Sequence, residues 1–182
     1  MEPLRIAMPP ELFSPAAYKQ FEGEADLSVL KAGPDLYDFA APLAWQADVT
    51  NTGDALLVTG TVRGEARTSC ARCLKQFSFP VVGEIEGYFL IGEGEAPEEM
   101  EGDEFDVLPD DRKIDFRPLI EAALLLELPL IPLCDEGCKG LCPRCGADLN
   151  EGPCGCPAEP EQDDVPVREN PFAALKGLDL GE

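Results

Sequence analysis

Short runs of β-branched, aromatic and threonine residues, broken by polar turn residues, dominate the chain between residues 43 and about 90. This pattern is typical of antiparallel strands. The turn sequence at residues 51–54, Asn-Thr-Gly-Asp, separates two such runs and predicts a β-hairpin. We expect a meander of about four strands, with a pair of cysteines at the bend between the last two. The predicted strands are 45–49, 55–59, 62–68 and 77–90.

A helix is predicted from Asp115 to Glu127. Asp115 can accept hydrogen bonds from the first free backbone amides, Pro118 fits the first turn, and Pro129 prevents the helix from continuing. Apolar residues cover nearly its whole circumference, so we expect the helix to be buried against the sheet.

The remaining segments have weaker signals. Residues 92–106 carry eight carboxylates and no basic residue, which predicts an acidic loop. Asn170 and Pro171 predict the start of a short helix in which Phe172 and Leu175 recur at helical spacing. So short a helix needs a surface to dock on, either its own domain or a partner. The predicted organisation is an N-terminal segment 1–42, a β region 43–91, an acidic loop 92–112, a helix with a cysteine-rich segment 113–156, and an acidic linker with a docking helix 157–182.

Charge limits the classes of partner. The chain has 14 basic and 36 acidic residues, a net charge of −22, which repels phosphate unless cations gather on one face. The closest approach to a basic strip runs from Arg63 to Lys75 and includes Arg67 and Arg72. We interpret it as a solvated strand face, with RNA contact through Arg67 and Arg72 as the alternative.

The sequence gives no sign of export or of a membrane span. Its start, Met1 to Arg5, lacks the basic region and apolar run of a secretory signal. The longest apolar stretch, 122–133, contains Glu127 and two prolines and is shorter than the roughly 20 residues that cross a bilayer. We therefore expect a soluble cytoplasmic protein. Thiols stay reduced in that compartment, so its eight cysteines favour a metal site over disulfides.

The cysteines suggest one or two zinc ions. The pair Cys142 and Cys145 has the spacing that lets two thiolates reach one ion, and Cys154 and Cys156 follow closely enough to complete a local site. The other four, Cys70, Cys73, Cys134 and Cys138, would form a second site that joins the sheet to the segment after the helix. An exchange of members between the two sites, such as Cys138 for Cys154 or Cys156, remains open at this point.

Catalysis has little support in these residues. The chain has no histidine, which removes the commonest general base, and zinc sites made only of cysteine are closed and structural. We therefore expect no enzymatic activity. A redox-sensitive zinc protein, in which oxidation of the closely spaced thiols expels the metal, is an alternative.

Several stretches together resemble one family. In order and spacing they are similar to the large ribosomal RNA subunit accumulation protein family, often called YceD-like, over about residues 40–178. The stretches are Cys70–Leu74, the helix with Leu128–Pro132, Cys138–Gly146 and Asn170–Leu175. The resemblance implies a role in accumulation or processing of large-subunit (23S) ribosomal RNA, without catalytic residues.

The sequence as a whole predicts an α+β protein. An antiparallel sheet is packed by one buried helix, followed by a cysteine-rich zinc knuckle and an acidic C-terminal tail. We expect it to assist large-subunit biogenesis by binding a basic ribosomal protein or a pre-ribosomal particle, since an acidic protein favours a basic partner.

Overall fold

The structure, a computed structural model, describes residues 3–92 and 105–157 of the chain. These residues belong to two units, Met1–Gly140 and Leu141–Glu182. Every helix and strand named below lies in the first unit. The strands are β1 Arg5–Ala7, β2 Tyr18–Ala25, β3 Val29–Ala32, β4 Asp35–Phe39, β5 Leu43–Asn51, β6 Ala55–Ser69, β7 Gln76–Leu90, β8 Asp106–Val107 and β9 Lys113–Asp115. A 3₁₀ helix spans Pro10–Phe13, and the α-helix α1 spans Phe116–Glu127.

The long strand β6 organises a seven-stranded sheet. On one edge it pairs first with β5 and then, at Ala66 and Arg67, with β4; on the other edge it pairs with β7 along its whole length. Strands β2 and β3 extend the sheet from β5 and β4. All these pairings are antiparallel, whereas β8 is parallel to the end of β7. Strands β1 and β9 form a separate antiparallel pair.

The predicted hairpin around residues 51–54 is confirmed, but the number of strands between residues 43 and 90 is corrected from about four to three. Residues 55–59 and 62–68 are parts of one continuous strand. Gly60 lies between the two predicted strands, and a Cβ there would lie 2.2 Å from the backbone oxygen of Gln46 on β5. The glycine lets two strand backbones come together, and the strand continues through it.

Helix α1 begins and ends where the sequence predicted. The Asp115 carboxylate accepts a hydrogen bond from the Arg117 amide at 3.1 Å, as an N-cap should. The helix runs antiparallel to β7, because Leu119 faces Gly87 and Ala123 faces Gly83. The expectation of burial all round needs correction: one face is buried, while Leu125 and Leu126 on the other are exposed.

The core lies between this helix and the sheet. The N-terminal segment 1–42 contributes four strands to the first unit, and Trp45 stacks on Phe116 with ring centroids 4.9 Å apart.

Part of the predicted acidic loop, residues 93–104, lies outside the described residues; the rest contains the short strand β8. The predicted acidic tail, from residue 158 onward, also lies outside them. Among the described residues, no helix is both long and apolar enough to cross a membrane.

Candidate metal centres

The structure gathers the eight cysteines into two groups of four. Within each group the four Sγ atoms all lie within 4.8 Å of one another. The groups are Cys70, Cys73, Cys134 and Cys138 in the first unit, and Cys142, Cys145, Cys154 and Cys156 in the second. The sequence spacing suggested the same grouping but left an exchange of members between the two sites open. Each cluster could hold a metal ion.

The first cluster is assembled by the sheet and the helix together. Cys70 and Cys73 lie in the tight turn that links β6 to β7, after the last paired residues Ser69 and Gln76. Because α1 runs antiparallel to β7, the chain that leaves the helix arrives at this turn. There the Ala71 amide donates a 2.8 Å hydrogen bond to the Pro132 carbonyl. This contact places the following cysteines beside the turn.

Distances between sulfur atoms fit a tetrahedral ion. Four sulfurs at about 2.3 Å from one ion lie about 3.8 Å apart, whereas a disulfide joins two sulfurs at about 2.05 Å. In the first cluster Cys70 and Cys138 are 3.8 Å apart and Cys73 and Cys134 are 3.6 Å apart. In the second, Cys142 and Cys154 are 3.4 Å apart. These separations match shared ligation of one ion and are too long for covalent bonds.

The two clusters contain the same backbone turn. In the first, the Leu74 amide donates to the Cys70 carbonyl at 2.9 Å and the Cys70 amide donates to the Lys75 carbonyl at 2.9 Å. In the second, the Gly146 amide donates to the Cys142 carbonyl at 2.9 Å, and the Cys142 amide donates to the carbonyl that follows Gly146 at 2.8 Å. Such a turn directs backbone amides at the first sulfur, which suits a metal-bound thiolate.

Backbone amides lower the pKa of one cysteine in each cluster. Burial alone would raise the pKa of Cys70, but amides of the surrounding turns, including that of Arg72 at 3.4 Å from its sulfur, bring it to about 6. Hydrogen bonds from the Cys145 and Arg144 backbone bring the pKa of Cys142 to about 6. Both clusters therefore favour a thiolate at the cysteine that opens the turn.

Other cysteines have raised pKa values because neighbouring sulfurs crowd them. Contact with Cys73, followed by burial, raises the pKa of Cys134 to about 12, and contact with Cys145 likewise raises that of Cys156 to about 12. Four thiolates so close together repel one another unless a cation lies among them. The thiols therefore suit a divalent cation, which would replace their protons.

The second cluster organises a segment that has little else to hold it. In the described residues of the second unit, 141–157, the only buried apolar side chain is Cys142. The backbone is bent by a turn in which the Asn150 amide donates to the Asp148 carboxylate at 2.8 Å, and Leu141 forms an isolated bridge with Asp148. A loop so poor in apolar contacts needs a cross-link to keep one conformation.

The predicted partner-binding residues lie in different settings. Arg67 forms an exposed ion pair with Asp38 at 3.6 Å. The Arg72 guanidinium donates to the carbonyls of Glu136 and Cys138, at 3.3 and 2.9 Å, across the first cluster. Phe172 and Leu175 lie outside the described residues. A function in binding partners stays a prediction for all four residues.

Two residues support the first cluster in a way that the sequence did not predict; it had suggested Arg72 only for RNA contact, and Gly140 for no role. Arg72 joins the two turns that carry its cysteines, and Gly140, with a φ of 73°, lies against it. A Cβ on Gly140 would lie 2.9 Å from the Arg72 carbonyl oxygen. The available signal was a glycine two residues after Cys138, but nothing in the sequence showed which residue it must accommodate.

Comparison with known proteins gives one family and several relatives. The family model described as "Large ribosomal RNA subunit accumulation protein YceD" matches residues 58–179. An uncharacterized protein of Mycobacterium tuberculosis is 35% identical over 116 residues, which cover 64% of this chain and 56% of that protein. One from Mycobacterium leprae is 30% identical over 112 residues, covering 62% and 51%. The chain thus spans about half the length of these curated relatives.

A plant protein matches a shorter part. The Arabidopsis thaliana protein named "Large ribosomal RNA subunit accumulation protein YCED homolog 1, chloroplastic" is 39% identical over 51 residues, 28% of this chain and 16% of that protein. No solved structure matches the chain significantly.

Proposed function

Because the chain belongs to the family of large ribosomal RNA subunit accumulation protein YceD, whose model matches more than half of it, we propose that it is a non-catalytic cytoplasmic factor of large-subunit biogenesis. In this proposal it supports accumulation or processing of 23S ribosomal RNA. It does so by binding a ribosomal protein or a pre-ribosomal particle. Each cysteine cluster holds one zinc ion that fixes the fold around it.

The observation that carries the zinc proposal is the convergence of four sulfurs in each cluster. Thiolates are the preferred ligands of zinc in closed structural sites, and an ion with four protein ligands has no open position for water or substrate. Zinc would therefore act as a cross-link. Cys70 and Cys73 would tie the β6–β7 turn to Cys134 and Cys138, and the second ion would close the loop of residues 142–156.

Charge supports a basic protein as the direct partner. The net charge of −22 counts the cysteines as neutral. Each zinc with four thiolates adds −2, so two sites bring the total to −22 − 4 = −26. A surface so acidic repels the phosphates of RNA and attracts cationic protein segments.

The alternatives have less support. Direct RNA binding through the strip from Arg63 to Lys75 would need Arg67 and Arg72, yet Arg67 pairs with Asp38 and Arg72 donates to two carbonyls. A redox switch would need accessible sulfurs, and each cluster has an exposed one, Cys134 and Cys145, but Cys70, Cys73, Cys138 and Cys142 are buried.

The test is co-purification from the cells that make the protein. Tagged full-length chain is recovered at low salt, and the bound proteins and RNA are identified. We expect ribosomal proteins of the large subunit and precursor 23S RNA, with the proteins still bound after ribonuclease treatment. Recovery of no ribosomal component would contradict the proposal.

A further inference from the structure

The outward face of α1 is apolar and exposed. Four of its five exposed positions are uncharged and recur at helical spacing, Pro118, Ala122, Leu125 and Leu126, and the fifth is Glu127 at the end of the helix. The apolar surface continues past the helix end, with Leu126 at 84%, Leu130 at 96% and Ile131 at 66% exposed. We name the set Leu125, Leu126, Leu130 and Ile131 the leucine stripe. An apolar surface of this kind on a small domain commonly marks an interaction site.

The other face of the same helix packs in the hydrophobic core against the sheet. Ile120, Ala123 and Leu124 are buried, and the helix backbone at Ala123 approaches Gly83 of β7 so closely that a Cβ there would lie 2.6 Å from the Ala123 carbonyl oxygen. Rotation of the helix to bury the leucine stripe would expose these core residues. A helix that is apolar on both faces is therefore covered on one face by its own sheet and suited to be covered on the other by a partner.

The part of the leucine stripe that follows the helix, Leu130 and Ile131, is held in place by one hydrogen bond on each side. The Tyr37 hydroxyl donates to the Pro129 carbonyl at 3.0 Å, and the Pro132 carbonyl accepts from the Ala71 amide at 2.8 Å. Between these two fixed points Leu130 and Ile131 extend outward. A surface organised before binding loses less entropy when a partner is bound, which favours a specific docking site.

Charge selects the partner. Exposed carboxylates of Glu127, Asp135 and Glu136 flank the stripe along the chain, while the nearby Arg72 is engaged by the Glu136 and Cys138 carbonyls. A second copy of this chain, with the same charge of −22, would be repelled. A helix with leucines on one face and lysines or arginines along its borders matches both the stripe and its flanks.

We propose that the leucine stripe is the docking surface for an amphipathic helix of a basic protein. The inference rests on the proposed function for the identity of that protein, but not for the existence of the surface. Leu126 and Leu130 fill the apolar side of the interface, and the flanking carboxylates meet the cationic border of the partner helix.

The direct test uses two synthetic peptides of about 18 residues, long enough for about five helical turns. Both carry leucines at i, i+3, i+4 and i+7; the polar face is lysine in one and glutamate in the other. Binding to the full-length, metal-loaded chain is measured by fluorescence anisotropy at low salt. We expect the lysine peptide to bind at least about tenfold more tightly than the glutamate peptide.

Matched variants locate the binding surface. Leu126→Gln together with Leu130→Gln should weaken lysine-peptide binding by about tenfold or more. Leu36→Gln, at a leucine that is 56% exposed on β4, should leave it unchanged. Circular dichroism on each variant checks that the fold is kept.

Several outcomes overturn the inference. The first two are equal binding of the two peptides and equal binding of the lysine peptide by the stripe variants and the wild type. The other two are sedimentation as a dimer with the stripe buried, and protection of residues 122–131 from carbene labelling in the free monomer.

Co-purification separates the two proposals. If wild-type and stripe-variant chains recover ribosomal proteins equally, the docking surface is wrong and the proposed function stands. If the wild type recovers none, the proposed function fails and the peptides alone decide on the surface.

Discussion

Leu74 occupies in one cysteine turn the backbone position that Gly146 occupies in the other. Both have a positive φ, 61° and 72°, and both donate a 2.9 Å hydrogen bond to the carbonyl of the cysteine four residues earlier. Glycine adopts this left-handed conformation without steric cost, whereas leucine does not. The first turn therefore stores strain that the second avoids.

Removing the Leu74 side chain should stabilise the protein. Leu74 is 66% exposed, so Leu74→Gly loses little packing and relieves the left-handed strain. We expect the free energy of unfolding to rise by about 0.5–1 kcal/mol, measured by thermal denaturation. The reverse change, Gly146→Ala, meets no atom within 4 Å and should weaken the second cluster through its φ alone. A lower melting temperature for Leu74→Gly would show that the leucine makes a contact that outweighs its strain.

The two clusters should respond differently to loss of one ligand. Cys73→Ser removes a buried sulfur that ties the β6–β7 turn to the segment after α1, so we expect one zinc per chain and a clearly lower melting temperature. Cys145→Ser should also leave one zinc per chain. Because its cluster lies in the second unit, the melting of the sheet should change little. Elemental analysis and circular dichroism are the measurements; two zinc ions in either variant would contradict the assignment.

Loss of the Arg72 guanidinium should speed release of zinc from the first cluster. It donates to the Glu136 and Cys138 carbonyls and so joins the two turns that carry the ligands. We expect Arg72→Ala to release one of two zinc ions several-fold faster to a chromogenic chelator. Arg67→Ala removes the same charge from an exposed ion pair with Asp38 and is the matched control. Equal rates of zinc release in both variants would show that the Arg72 hydrogen bonds do not retain the ion.

Asp115 should stabilise two elements at once. Its carboxylate accepts from the Arg117 amide at the start of α1 and from the Leu4 amide at 3.0 Å. Asp115→Ala should lower the free energy of unfolding by about 1–2 kcal/mol, read from urea denaturation. Asp115→Asn keeps an acceptor oxygen and should lose less than half as much. An alanine variant as stable as the asparagine variant would contradict the capping role.

Gly83 should tolerate no side chain. A Cβ there would lie 2.6 Å from the Ala123 carbonyl oxygen, which belongs to the backbone and cannot rotate away. Gly83→Ala should force α1 from β7 and destabilise the protein by about 1–3 kcal/mol. That corresponds to a fall in melting temperature of about 2–4 °C per kcal/mol. Val82→Ala, at the neighbouring exposed position, is the control and should cost much less.

Much of the local structure could be predicted because its causes lie within a few residues of chain. Asp115 and Pro129 bound the helix, the turn at residues 51–54 sets the hairpin, and the spacing of Cys142 and Cys145 is that of a metal turn. The resemblance to the YceD family could also be read from short stretches. The same stretches carried no information on what each side of the helix would face.

The tertiary structure decided what depends on segments far apart. It made β6 continuous through Gly60, because the backbone of β5 lies against that glycine, and it left Leu126 and Leu130 exposed, because β7 covers only the other face of α1. It also brought Cys138 to within 3.8 Å of Cys70 across 68 residues. Capping and turn geometry are set by neighbours in the chain, and so the sequence alone determines them. Burial, close approach and the convergence of distant sulfurs depend on which segments pack together, and only the folded chain determines that.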